Sequence, residues 1–171
     1  MPKEQITSGF FATYDDAYYT SLCTQRNDPN SYYSTYYHPF SQPIFNQATT
    51  SSICASGWAM AASTTLSVLY TNTQRQIKKS NIIYAMSPQQ LLDCTVGSYA
   101  GNGCYGGSVY ESWQYYVNVG AVLNSSYPYV ATQNPCDSSK APLFSISSCV
   151  SVPSSSEVSL RNAVTVSPVT V

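Results

Sequence analysis

Hydrophobic and polar positions divide the chain into a Tyr-rich arm, a helical middle and a tail of short strands. Between residues 56 and 72, in "SGWAMAASTTLSVLYTN", small and apolar side chains occupy nearly every face of a helical wheel. A helix that is apolar all round belongs in the middle of a protein, so we predict a buried central helix there. In "VYESWQYYVNVGAV", apolar positions at 109, 113, 116, 117 and 119 predict a second helix, which Gly120 ends.

Residues 86–94, "MSPQQLLDC", carry a helix start signal. Ser87 is expected as the N-cap and Pro88 as the first helical residue, where its missing N–H costs nothing. Gln90 then completes a capping box. A glycine-rich loop follows over residues 95–108. Beyond "SYPYV", the pattern predicts short β segments in "LFSISSCVSV", a short helix in "SEVSLRNAV" and a strand over residues 164–171.

Residues 1–41 show no sustained helix or strand period and are rich in tyrosine. We expect an extended, loop-rich arm with at most a short helix near residues 12–22. Its Tyr-Tyr pairs form either a binding surface or, as is commoner in irregular segments, packed rings with hydrogen-bonded hydroxyls.

Charge and composition limit the classes of partner. Only 9% of the 171 residues are charged, against about 25% in a typical soluble domain. The net charge of −1 gives no electrostatic reason to expect nucleic acid or an anionic membrane. A surface with so little charge is compatible with a subunit of an assembly. The alternative is a compositional bias of the organism or of secreted proteins. No apolar run approaches the roughly 20 residues of a membrane span.

Six cysteines in apparent loops indicate a disulfide framework, and hence an extracellular or lumenal location. A zinc site is not expected, since no closely spaced cysteine pair exists and His38 is the single histidine. No metal or cofactor is predicted. The start, "MPKEQITSGFF", shows no signal peptide, which conflicts with this location unless Met1 is not the natural start. Asn124, in "NSS", is the one glycosylation sequon, expected on the surface and modified if the chain is secreted.

Four ordered motifs resemble the papain-like cysteine peptidases. "CASGWAM" (54–60) is similar to the family's Cys-Gly-Ser-Cys-Trp-Ala-Phe, and "MSPQQLLDC" (86–94) to its LSEQQLVDC. "GNGCYGG" (101–107) and "NVGAVLNSSYPYVATQNPC" (118–136) match two further motifs. The resemblance implies an α+β fold: a helical left domain over residues 42–140 and the first strands of a barrel-like right domain over 141–171. The C-terminal half is absent from this sequence, and residues 1–41 fit the family's mature start poorly.

The resemblance also implies which catalytic parts are missing. Gly57 stands at the nucleophilic cysteine's position, where a thiolate is favoured by the helix N-terminus. Gln47 is the candidate oxyanion residue, displaced by an insertion of four residues. The family's catalytic histidine and asparagine lie in the half that this sequence lacks, and His38 is in the wrong half to replace the histidine. Ser56 lies one residue off the helix start with no base. Gly57 is either natural or an engineered change.

Disulfides and a peptide groove are the features that the resemblance leaves intact. It pairs Cys54 with Cys104 and Cys94 with Cys136, whereas Cys23 and Cys149 either pair with each other or stay free. Gly106 and Gly107, together with Trp58, would line the groove in which the family binds extended peptides, and strand addition of that kind needs no nucleophile.

The leading hypothesis is therefore a non-catalytic, structural or binding subunit of a larger assembly. A protein partner would cover the cleft face and the C-terminal strand, and a chain carrying the other half of the fold is one such partner. Two alternatives stay open: a chain of a working cysteine peptidase whose His/Asn half lies elsewhere, and a pseudopeptidase that binds peptides.

Overall fold

The described residues form four helices and two very short strands. The computed structural model describes residues 23–25, 54–79, 81–99, 101–153 and 155–170. The elements, in chain order, are β1 (Thr24–Gln25), α1 (Gly57–Lys78), α2 (Pro88–Cys94), a 3₁₀ turn (Gly103–Tyr105), α3 (Val109–Asn118), β2 (Val150–Ser151) and α4 (Glu157–Val166). The helix predicted near residues 12–22 lies outside the described residues.

The long helix α1 lies at the centre and packs against both α2 and α3. Its small residues let the neighbouring helices approach closely, and Ala59, Ala62 and Leu66 are fully buried among Leu91 and Tyr116. The predicted end near residue 72 was too early, because α1 continues to Lys78. Arg75 and Lys78 in the last turn favour this extension, since cations stabilise the negative end of a helix dipole.

Helix α2 begins as predicted, with Ser87 as N-cap and Pro88 as the first residue. The Ser87 hydroxyl accepts a hydrogen bond from the backbone N–H of Gln90 at 3.0 Å. The reciprocal half of the expected capping box is missing, because the backbone N–H of Ser87 donates to the Val122 carbonyl instead. The Gln90 side chain bridges α2 to the Gly120 carbonyl and the Val122 N–H.

Helix α3 ends at Asn118, and Gly120 follows the C-cap with a φ of +97°, as the sequence predicts. A Cβ at Gly120 would lie 2.7 Å from the Phe144 carbonyl oxygen. Glycine is therefore required at position 120 for two reasons: the positive φ of the backbone and the close approach of the residue 144 carbonyl. Burial raises the pKa of both Tyr115 and Tyr116 on this helix.

The predicted strand over residues 164–171 was wrong. Helix α4 runs through Val166, and residues 167–170 form no regular element. Ser156 caps the helix by accepting a hydrogen bond from the Ser159 N–H, and this start signal outweighed the β-branched residues that suggested a strand. Of the β segments predicted around residues 143–152, the structure contains β2, which pairs in parallel with β1, and an antiparallel bridge between Phe144 and Ala121.

Candidate functional site

The start of α1 is fastened to the glycine-rich loop. Cys54 is disulfide bonded to Cys104, and the backbone N–H of Ala55 donates to the Cys104 carbonyl at 2.8 Å. These contacts fix the direction in which the chain enters the helix. The first helical residue, Gly57, is exposed, and apart from its chain neighbours and the helix backbone no atom of the described residues lies within 4 Å of where a Cβ would stand. The positive end of the helix dipole thus lies at an open position without a side chain.

Ser56, the N-cap of α1, does not cap the helix with its side chain. Its hydroxyl is fully buried and lies 2.8 Å from the Tyr129 hydroxyl, 73 residues away in the sequence. The hydrogen bond ties the "SYPY" segment to the helix start. No sequence pattern links the two residues, so this contact was not predicted.

Trp58 and Gly107 form the wall beside this helix start. A Cβ at Gly107 would lie 2.5 Å from Cε2 of the Trp58 indole, so only glycine lets the loop backbone pass over this ring. Gly106 has a φ of +125°, a conformation that also favours glycine. The two adjacent glycines therefore have a packing reason as well as a conformational one. The buried Nε1 of Trp58 finds no hydrogen-bond partner among the described residues.

All six cysteines of the sequence take part in disulfides. The bonds join Cys54 to Cys104, Cys94 to Cys136, and Cys23 to Cys149. The first two are the pairings that the resemblance implies, and the third decides between the alternatives left open for Cys23 and Cys149. A bonded cysteine has no thiolate to offer, so none of the six can serve as a nucleophile while the bonds are intact.

A cavity of about 1180 Å³ is lined by residues of α3 and α4, and Gly107 is among the lining residues. Apolar side chains make up much of its wall, among them Val109, Trp113, Ile146, Val150, Leu160 and Val169. The Cys23–Cys149 disulfide also lines it, and this bond ties residue 23 to the cavity wall. A cavity of this size with apolar walls can accept an extended apolar peptide segment.

The predicted site residues fall into two groups. Gly57, Trp58, Gly106, Gly107 and the Cys54–Cys104 bond lie together at the start of α1. Cys94 and Cys136 form a separate bond at the end of α2, and Asn124 lies in a turn after residue 123. Gln47 and His38 lie outside the described residues, so the structure does not place either candidate.

A buried polar network around Asp93 was not predicted. Its Oδ2 accepts a hydrogen bond from the Tyr127 hydroxyl at 2.8 Å, and its Oδ1 accepts bonds from the Gln89 amide and the Asn134 N–H. Burial, together with the bond to Asp93, raises the pKa of Tyr127 to about 12. The network anchors residues 127–137 to α2 beside the Cys94–Cys136 bond, so its role is to hold the "SYPY" segment in place.

Neither a metal-binding cluster nor a membrane-spanning helix occurs in the parts of the chain that the structure describes. There, no group of three or more His, Cys, Asp or Glu side chains is placed to hold a metal ion. Within the same ranges, no helix is both long and apolar enough to cross a bilayer.

Comparison with known proteins relates most of the chain to one family. A sequence model of the papain family of cysteine proteases matches residues 40–171. Zingipain-1 and zingipain-2 from Zingiber officinale are 36% and 39% identical over 131 residues, which are 75% of this chain and 53% of each relative. The chain thus spans about half the length of these relatives. Among solved structures, the Carica candamarcensis cysteine protease CMS1MS2 in complex with E-64 overlaps with a TM-score of 0.47 at 26% identity, covering 57% of this chain and 43% of that one.

Proposed function

Because the chain belongs to the papain family of cysteine proteases, we propose that it is a non-catalytic member that binds extended protein segments within a larger assembly. One observation carries the proposal: α1 begins on Gly57, and every cysteine is disulfide bonded. In the motif that "CASGWAM" resembles, the nucleophilic cysteine occupies the position of Gly57. A glycine has no atom with which to form an acyl-enzyme.

Ser56 does not replace the missing nucleophile. Its hydroxyl is buried and is engaged by the Tyr129 hydroxyl, so a substrate carbonyl has no access to it. A serine also needs an adjacent base to become nucleophilic. The one histidine of the sequence, His38, lies outside the described residues. The hydroxyl therefore serves the packing of the helix start.

Binding does not depend on a nucleophile. The backbone at Gly106–Gly107 and the apolar cavity beside it offer the two features that recognise an extended segment, main-chain hydrogen-bonding groups and apolar pockets. Val158, Val164 and Val166 of α4 are also exposed, by 43%, 41% and 68%. Apolar exposure of this kind supports a protein partner on the α4 side. Three disulfides support an extracellular or lumenal location for the complex.

A second candidate is a chain of a working peptidase whose catalytic histidine and asparagine are supplied elsewhere. The observation in its favour is that the chain spans only 53% of the zingipain relatives. Gly57 stands against it, because histidine and asparagine from elsewhere would still find no thiol at the start of α1.

The binding proposal is tested by titrating the full chain with fluorescent apolar peptides of about ten residues and analysing the mixture by mass spectrometry. We expect saturable binding with every peptide recovered uncut. Val150→Arg places a charge at the cavity and should weaken binding at least tenfold. Val130→Arg, at a similarly exposed valine outside the cavity lining, is the matched control and should bind as the native chain does. Cleaved peptide, or equal loss in both variants, would contradict the proposal.

A further inference from the structure

The far end of α1 carries a surface that the proposed function does not use. We define the α1 tip as residues 75–79 and 81–83, the end of α1 and the segment that follows it. Three isoleucines are exposed there: Ile77 by 70%, Ile82 by 60% and Ile83 by 46%. Three exposed isoleucines between residues 77 and 83 concentrate large aliphatic side chains in one short stretch of the sequence, and such exposure can mark an interaction surface.

Helix geometry shows why Ile77 is exposed. At 100° per residue, Ile77 falls on the same side of α1 as the buried Ala59 and Leu66. The helix therefore continues its apolar stripe past the end of the core, and none of the helices in the described ranges covers the last turn. The returning chain packs back at Tyr84, whose ring makes an edge contact with Tyr70 at 5.0 Å between centroids. Ile82 and Ile83 precede that contact and so lie at the same end of the domain.

The tip is also the most cationic part of the sequence. Arg75, Lys78 and Lys79 are three of the seven Lys and Arg residues, and no Asp or Glu occurs between Asp28 and Asp93. The ion pairs seen within the described ranges are Lys140–Asp137 and Arg161–Glu157, so none of the three tip cations is neutralised there. On the helical wheel, Arg75 and Lys78 lie away from the Ile77 side of α1, and Lys79 follows as the C-cap. The tip thus combines an apolar side with a cationic side.

We propose that the α1 tip docks the protein on an anionic phospholipid surface. Aliphatic side chains that insert shallowly among the acyl chains, flanked by cations that meet anionic headgroups, are the features of interfacial membrane binding. Long Lys and Arg side chains reach headgroups while their stems stay in apolar contact. A second copy of the tip is a poor occupant, because three positive charges on each side would repel. The net charge of −1 conceals this local cluster.

Vesicle co-sedimentation of the full chain tests the proposal. Vesicles of phosphatidylserine and phosphatidylcholine should bind the protein at low salt, and vesicles of phosphatidylcholine alone should bind it weakly. The triple variant Arg75→Gln/Lys78→Gln/Lys79→Asn should lower partitioning about one hundred-fold. Asparagine is chosen at Lys79 because that residue has a φ of +54°. Lys140→Gln is the control cation outside the tip.

The isoleucines distinguish a membrane from a soluble polyanion. Ile77→Ser and Ile83→Ser should each lower partitioning about tenfold, whereas Val119→Ser, at an exposed valine elsewhere, should not. Thermal unfolding of each variant confirms that the fold is kept. The proposal is overturned if native protein fails to sediment with anionic vesicles at low salt. It is also overturned if serine at Ile77 and Ile83 leaves partitioning unchanged, because the tip would then bind charge alone, as a soluble acidic polymer or protein presents it.

Discussion

The helical unit over residues 54–136 and the segment over residues 137–170 bury their side chains to different degrees. In the first, Leu66, Leu91 and Leu92 are inaccessible to solvent, and two disulfides close the unit. In the second, Val150 and Val166 are 60% and 68% exposed. The difference teaches that the interior of the helical unit, apart from its exposed α1 tip, is packed by residues that the structure describes. The 137–170 segment leaves apolar side chains exposed, and under the proposed function a partner would cover them.

The largest effect on the helical unit should come from removing the Cys54–Cys104 bond. The two cysteines are 50 residues apart in the sequence, and for a loop of that length the chain-entropy model gives a loss of about 4 kcal/mol. Urea unfolding of Cys54→Ala/Cys104→Ala should show this loss. A change below about 1 kcal/mol would mean that the bond does not hold the unit together.

Truncating one buried side chain in the helical unit and one exposed side chain in the 137–170 segment tests the comparison directly. Leu66→Ala should lower the free energy of unfolding by about 3 kcal/mol, because it opens a cavity at a fully buried position. Val166→Ala, at an exposed position on α4, should change it by less than about 0.5 kcal/mol. Equal losses in the two variants would break the contrast, since they would show that α4 is packed as tightly as α1.

The Asp93 network should matter somewhat less. Tyr127→Phe leaves Asp93 Oδ2 without its donor and should cost about 2 kcal/mol at neutral pH. The pKa of Tyr127 is raised from 10.0 to about 12 in the folded chain, so its contribution is present below pH 10 and is lost as the pH rises through 12. Native protein should therefore lose more stability across this range than Tyr127→Phe does. Tyr105→Phe, at an 81% exposed tyrosine, is the control that should behave as native.

The smallest effect on stability is expected at Asn124. The side-chain Oδ1 is buried and has no hydrogen-bond partner among the described residues, so Asn124→Gln should change stability by less than about 0.5 kcal/mol. We expect the native chain to carry an N-linked glycan there when it is expressed through a secretory pathway. Treatment with peptide-N-glycosidase should shift the mass of native protein and leave Asn124→Gln unchanged. An unshifted native mass would contradict this expectation.

Local signals in the sequence were sufficient for part of the fold. Ser87 and Pro88 begin α2 because capping acts within one helical turn, and Gly120 ends α3 because its φ is positive. The motif resemblance implied two of the three disulfides. The valines at 164 and 166 suggested a strand, but they lie in the last turn of α4, which continues two residues past the end of the helix predicted in "SEVSLRNAV". The Ser56–Tyr129 contact and the Asp93 network join residues far apart in the sequence, which neither period nor spacing reveals.

The central claim, that this family member has no peptidase nucleophile, is tested most directly by measuring turnover and thiol labelling together. Purified native chain would be incubated with fluorogenic peptides and then, without reductant, with a thiol-alkylating reagent in denaturant. We predict no hydrolysis and no alkylated cysteine, because Gly57 begins α1 and all six cysteines are bonded. Hydrolysis that persists through purification, together with one cysteine labelled per chain, would contradict the claim.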